Sequence, residues 1–320
     1  MVPEAGQGTP PVAVIFQRLA ANAGAFVAAM LFGSSVVAVR VAVQEVPPLS
    51  LAVLRFGQGG LLLVFVLLLV GTRELLRVRW RDLPLLLLLG AVLFAVFPVS
   101  FNASLRLIEA SRGALILATI PLWSALLARI TRSERLAPRQ LVGVLISLGG
   151  VGLALAERGL GRQGGLGGLT GDALMLVTAL CGATYAVLAQ RAFARYGALT
   201  VTAYAMVLGT LLLLPAALGE GLVEVLPKLD QQTVALLVFL GVFGGAFGFY
   251  LWTFALTRLT PTQVAVYINL NPLVAMVLAA ALLGERLTIV FAAGFGAVLL
   301  GVLLVNWPKR TEVAPADRSR

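Results

Sequence analysis

Residues 270–301, LNPLVAMVLAAALLGERLTIVFAAGFGAVLLG, decide the fold, because residues 119–150, TIPLWSALLARITRSERLAPRQLVGVLISLGG, repeat them without a gap. The offset is constant: 272 − 121 = 151 carries Pro121 onto Pro272. The same shift carries Glu134-Arg135-Leu136 onto Glu285-Arg286-Leu287, Gly143 onto Gly294 and Gly150 onto Gly301. Apolar coincidences such as Leu127 on Leu278 mean little in a chain rich in Leu and Ala. Matched Pro, Glu-Arg and Gly positions in one register mean a great deal. The match extends outward over Phe101 to Ala156 and Tyr250 to Asn306, so the chain is built from two copies of one unit.

What surrounds that unit is lipid. Of 320 residues, 60% are hydrophobic and only 12% charged, with a mean hydropathy of +0.99. A soluble domain sits near half apolar and a quarter charged. Such a chain is an integral membrane protein. Ten apolar segments follow one another, at about 20–43, 49–70, 84–106, 111–130, 140–156, 170–192, 199–218, 232–257, 262–283 and 288–306. Most are near the roughly 20 residues that a bilayer core requires. The fold expected is all-α, with ten transmembrane helices.

Residues 1–19 read as a disordered cytoplasmic tail and 308–320 as a second one. Residues 20–156 form the first five-helix repeat and 170–307 the second, with a Gly-rich linker at 157–169. Thr260-Pro261 reads as an N-cap followed by Pro in the first helical position. Five spans is an odd number, so the second copy enters the membrane from the opposite side. The two repeats are then inverted about an axis in the membrane plane.

Arg and Lys set the orientation. With the N-terminus inside, the inner segments hold Arg18, Arg73, Arg77, Arg79, Arg81, Arg129, Arg132, Arg135, Arg139, Arg191, Arg195, Arg258, Lys309, Arg310, Arg318 and Arg320. The outer connections hold Arg40, Arg106, Arg112, Arg158, Arg162, Lys228 and Arg286. Sixteen against seven places both termini in the cytoplasm of a cell whose inner (plasma) membrane carries the protein. The net charge of +10 is therefore a membrane-surface signal, not a nucleic-acid footprint.

Several functions are excluded. There is no His, which removes zinc proteases and His-based triads. No paired intramembrane carboxylates occur, and no ATP-binding loop of the Walker type. Gly159-x-Gly161-x-x-Gly164 spells a dinucleotide motif, but no strand precedes it. Cys181 stands alone, so no internal disulfide forms. Nothing in the chain calls for a cofactor or a metal, and the chain reads as no enzyme.

In each copy an apolar helix is followed by a helix with a central Pro, then Glu-Arg-Leu, then a helix with spaced Gly. In the second copy these are Asn271-Pro272-Leu273, Leu283-Gly284-Glu285-Arg286-Leu287-Thr288, Gly294 and Gly301. The front ends agree more weakly, with Phe32-Gly33-Ser34-Ser35 against Cys181-Gly182-Ala183-Thr184, and Leu54-Arg55-Phe56 in the second span. From about residue 20 to 307 the chain resembles the EamA family of the drug/metabolite transporter superfamily. The first copy departs from Leu-Gly-Glu, with Arg132-Ser133-Glu134 instead, which loosens the turn. The resemblance implies ten helices in an inverted repeat. It also implies a secondary transporter, an exporter, of a small amphipathic metabolite such as an amino acid, working by alternating access around a midplane cavity. The competing reading is a lipid scramblase or a membrane scaffold. The partners expected are a small-molecule substrate and the bilayer, and a monomer suffices.

The stripe Tyr267, Asn271 and Val274 runs at i, i+4 and i+7, and the offset puts Thr119 and Trp123 on the same stripe of the first copy. Polar groups in mid-membrane face inward, toward a cavity or a dry helix interface. Arg55 is the only basic residue well inside a span. It serves a substrate carboxylate or phosphate, or it snorkels and caps carbonyls. Trp252 lines an inner vestibule or belongs to an interfacial belt. With Tyr185 and Ser35, these residues are the expected cavity lining: Thr119, Trp123, Tyr267, Asn271, Arg55, Trp252, Tyr185 and Ser35. Pro121 and Pro272 mark fixed kinks or hinges. Gly143 and Gly294 belong to the structural motif. Glu134 and Glu285 read mainly as turn residues near the N-terminus of the next helix, where the dipole favours them.

Overall fold

The computed structural model of the chain describes residues 11–70, 78–130, 138–159, 166–256, 258, 267 and 270–306. Among these residues the regular elements are all helical. In order they are α1 (Pro11–Glu45), α2 (Pro48–Val70), α3 (Leu83–Ala91), a π-helical turn (Val92–Val96), α4 (Phe97–Leu107), α5 (Ala110–Leu117), α6 (Ile120–Ile130), α7 (Pro138–Gly159) and α8 (Leu166–Tyr196). There follow α9 (Ala198–Glu220), α10 (Leu222–Val225), α11 (Gln231–Val238), a second π-helical segment (Phe239–Phe247), α12 (Gly248–Leu256), α13 (Leu270–Leu283) and α14 (Ile289–Asn306).

Six helical stretches are long and apolar enough to cross a bilayer: Leu19–Glu45, Pro48–Leu69, Trp80–Leu107, Gly167–Ala189, Leu199–Glu220 and Gln231–Ala255. Three shorter apolar helices, Leu141–Leu153, Leu270–Leu283 and Ile289–Gly301, accompany them. The chain is a multi-pass membrane protein. A helix satisfies its own backbone groups, which lipid cannot do, so this composition has no other way to span.

Three boundaries differ from the sequence expectation. The first helix begins at Pro11, so part of the expected tail is helical; Pro suits a first helical turn because its missing N–H has no partner there. The Gly-rich linker is narrower than 157–169, since α7 runs to Gly159 and α8 starts at Leu166. The segment at 111–130 is not one helix but two. Pro121 has no N–H to give to the carbonyl of Leu117, four residues back, so the helix stops there and restarts at Ile120. Thr260-Pro261 and Glu134 lie outside the described residues.

Lipid removes the hydrophobic drive for helices to associate, so small residues that allow close approach decide the packing. The tightest case joins α7 to α14. A Cβ on Gly150 would lie 2.5 Å from the Gly294 carbonyl oxygen, and one on Gly301 would lie 2.3 Å from that of Gly143. Ser147 Oγ donates to the Val298 carbonyl at 3.0 Å. Position 150 meets 294 while 143 meets 301, so the two helices run antiparallel. The glycine contacts join each glycine to the offset counterpart of the other, and Ser147 meets its own counterpart, 147 + 151 = 298. The π-helical segments obey the same register: a shift of 151 carries Val92–Val96 onto 243–247, inside Phe239–Phe247.

The core has two main bodies. One surrounds the second half of α1, where Val39, Ala42 and Val43 are fully buried with Leu51, Leu105 and Ala279. The other packs α2, α3, α8 and α9 around Phe94, Leu89 and Met206. The first half of α1 is peripheral by comparison, with Phe26, Val27 and Met30 exposed.

Candidate functional site

Beneath the first core body lies a cavity of about 220 Å³. That is small against the roughly 300–1,000 Å³ of pockets for drug-sized ligands. Its walls come from both copies. Ser35, Phe32 and Val36 project from α1, Arg55 and Phe56 from α2, and Leu93 from the first π-helical turn. Phe97 and Phe101 come from α4, and Ala118 and Ile120 flank the α5/α6 break. Phe249 of α12 and Asn271 and Pro272 at the start of α13 complete it from the second copy. Helix irregularities thus border the space: a π-turn and a proline break. Such irregular backbone at membrane depth is tolerated where it lines a cavity.

Gly244 and Gly33 let the walls close in. A Cβ at Gly244 would sit 2.3 Å from Ser35 Oγ, and one at Gly33 would sit 2.6 Å from the Asn271 carbonyl oxygen. Ser35 Oγ donates to the Leu31 carbonyl at 2.7 Å. Arg55 is 7% exposed. Its guanidinium lies 4.8 Å from the Phe56 ring centroid, and its Nε is buried with no hydrogen-bond partner among the described residues. The lining carries no acidic side chain among those residues.

Of the side chains expected to line a cavity, the structure brings Ser35, Arg55 and Asn271 onto this one, together with Pro272. The others serve elsewhere. Thr119 is buried in the helix break, where its hydroxyl donates to the Ile116 carbonyl at 2.6 Å and accepts from Trp123 Nε1 at 3.0 Å. The pair stitches the gap that Pro121 opens, and its neighbours Ala118 and Ile120 face the cavity instead. Tyr267 donates to Asn22 Oδ1 at 2.9 Å. Trp252 stands edge-on to Phe249 with centroids 6.2 Å apart, next to Ala21, Ala25 and Ala255. Tyr185 is packed edge-on to Phe94 and Phe193 in the second core body.

Glu285 does not cap the helix that follows it. Its carboxylate accepts from the backbone N–H groups of Ala110 and Ser111 at 2.8 and 3.0 Å, capping α5 of the other copy. Thr288 Oγ1 serves α14 instead, accepting from the Phe291 N–H at 3.1 Å. The same end of the bundle carries further ties. Arg40 donates to the carbonyls of Leu105 and Arg106 at the end of α4. Glu220 accepts from the N–H and hydroxyl of Ser50 at the start of α2. Arg112 forms a two-pronged ion pair with Asp172, with Nε to Oδ1 at 2.7 Å. At the opposite end Asp82 holds Arg195 and the Tyr196 hydroxyl.

The buried Arg112–Asp172 pair escaped the sequence reading, which put Arg112 in a connection. Opposite charges at the start of two spans that enter from one side were the available signal. The phenylalanine walls also escaped it, although Phe97 and Phe101 are spaced i, i+4 on one face.

Comparison with known proteins settles the family. Residues 19–156 and 169–307 each match the EamA-like transporter family. The chain belongs to that family. Its members are transporters, not enzymes. An uncharacterized transporter of Archaeoglobus fulgidus is 28% identical over 280 residues, which cover 86% of this chain and 94% of that protein. A probable terminal-alkyne amino-acid exporter of Streptantibioticus cattleyicolor is 30% identical over 230 residues, covering 72% of this chain and 75% of its own. A solved crystal structure with 21% identity superposes at a TM-score of 0.64, over 89% of this chain and 95% of its own. That likeness speaks to the fold alone.

Proposed function

We propose that this EamA protein is a secondary transporter that exports a small amphipathic metabolite across the plasma membrane. Two inverted five-helix repeats would rock about a cavity near the midplane, with both termini in the cytoplasm. The observation that carries the reading is the cavity itself, walled by both copies and bordered by the α5/α6 break. The paired glycines of α7 and α14, and the matching π-helical segments, support the inverted relation. That one relative is named an amino-acid exporter supports a small cargo that carries a carboxylate.

Energy coupling follows from where the carboxylates sit. Asp172 is tied to Arg112, Glu285 to the α5 backbone and Glu220 to Ser50, all at one end of the bundle. A proton relay needs an ionisable group on the route. Glu109, with its Oε2 buried, sits at the start of α5 at that same end, and no carboxylate lines the cavity among the described residues, so the mode proposed is a facilitator or an exchanger. The test is efflux from proteoliposomes loaded with candidate metabolites, with and without an imposed pH gradient. Asn271→Ala is expected to slow transport far more than Asn306→Ala at equal expression. Equal rates in the two variants would remove the cavity from the route, and pH-driven accumulation would overturn the coupling.

A further inference from the structure

Given that the cavity is the substrate site, we infer that it selects a monocarboxylate with an apolar, ring-sized body and no free ammonium group. The argument is one of charge inventory. Arg55 is a permanent cation, 7% exposed, whose Nε has no hydrogen-bond partner among the described residues and whose guanidinium lies over the Phe56 ring. A guanidinium with an unpaired nitrogen inside a membrane protein is costly unless something anionic meets it. Its planar fork suits a carboxylate in two-point contact.

The remaining walls tell against a zwitterion. They offer the rings of Phe32, Phe97, Phe101 and Phe249, small apolar side chains, one hydroxyl and one carboxamide. The Ser35 hydroxyl donates to the Leu31 carbonyl, so its oxygen can offer an ammonium one neutral acceptor, which does not offset a full charge. No carboxylate is present on the described lining to receive an ammonium. An amino acid would thus pair one of its charges with Arg55 and bring the other into a cavity with no opposite charge. A carboxylate whose nitrogen is absent or acylated avoids that desolvation. The volume of about 220 Å³ admits a body of phenyl size.

The experiment is a binding series on the intact protein in lipid nanodiscs, with 3-phenylpropionate, 3-phenylpropanamide and L-phenylalanine as probes. The acid is expected to bind roughly tenfold or more tightly than the amide, and likewise than L-phenylalanine. Arg55→Gln is expected to erase the acid-over-amide preference while leaving the amide affinity within about threefold. A merely structural arginine would shift both ligands together. Arg55→Lys retains the charge and should keep part of the preference; the wild-type series stands on its own should Arg55→Gln misfold. L-Phenylalanine binding as tightly as the acid, or a preference that survives Arg55→Gln, overturns the inference. If all three bind equally and all are lost in Ala118→Phe, the anion preference falls and the cavity stays as a site. Transport of a metabolite by a protein that binds none of the three sinks the inference alone; absence of transport as well sinks both.

Discussion

Glu285 is the residue whose part differs most from its place in the sequence. Glu-Arg-Leu after a Gly reads as the lead-in to the next helix, but the carboxylate reaches across to the first two N–H groups of α5. Nothing in a single sequence links position 285 to 110, because the link is made by packing. Its mid-bundle counterpart is Arg55, where the sequence did speak: a lone arginine inside an apolar span is visible without any structure. The Glu285 cap joins two charged hydrogen bonds to a helix terminus, and side-chain caps are worth about 0.5–2 kcal/mol. Glu285→Ala is therefore expected to lower thermal stability in detergent by about that amount, and Glu285→Gln by less. An unchanged melting temperature in Glu285→Ala would show that the cap is idle.

Among the elements, α7 and α14 were legible as a pair before they were seen as one. The sequence placed Gly143 on Gly294 and Gly150 on Gly301; the structure adds that these sets face each other. The π-helical segments were not legible, since Val92–Val96 and Phe239–Phe247 are ordinary apolar runs whose extra residue per turn is set by neighbours. The proline break was half legible: Pro121 announced a kink, but not that Thr119 and Trp123 would bind each other inside it. Gly150→Ala is expected to destabilise by about 1–3 kcal/mol, because the new methyl meets the Gly294 carbonyl. Gly152→Ala, with nothing within 4 Å, is expected to be neutral or to stabilise by up to about 1 kcal/mol. Parallel melts of the two variants decide it; equal losses would mean that the close approach is not what holds these helices.

For the whole molecule, hydropathy carried the class and the repeat carried the architecture, whereas the cavity needed coordinates. Five of its fifteen described lining residues are phenylalanine, which no polar stripe could reveal. The orientation rests on the Arg and Lys distribution. In a Cys181→Ala background, a cysteine at Ala314 is expected to resist impermeant thiol reagents in intact cells and to react after lysis. Ready reaction from outside would reverse every loop assignment. The glycine contact of α7 and α14 has a larger consequence. Exchange of the two copies sends the pair 143 and 301 to 294 and 150, which is the other pair, so the contact is mapped onto itself. A motion that interconverts two mirrored states leaves such a contact invariant, as a fulcrum is left in place by a balance. Gly150→Ala should then weaken both states alike and bias neither. The Glu285 cap is carried over only in part by the same exchange, which sends Ala110 to Pro261, without an N–H, and Ser111 to Thr262, with one.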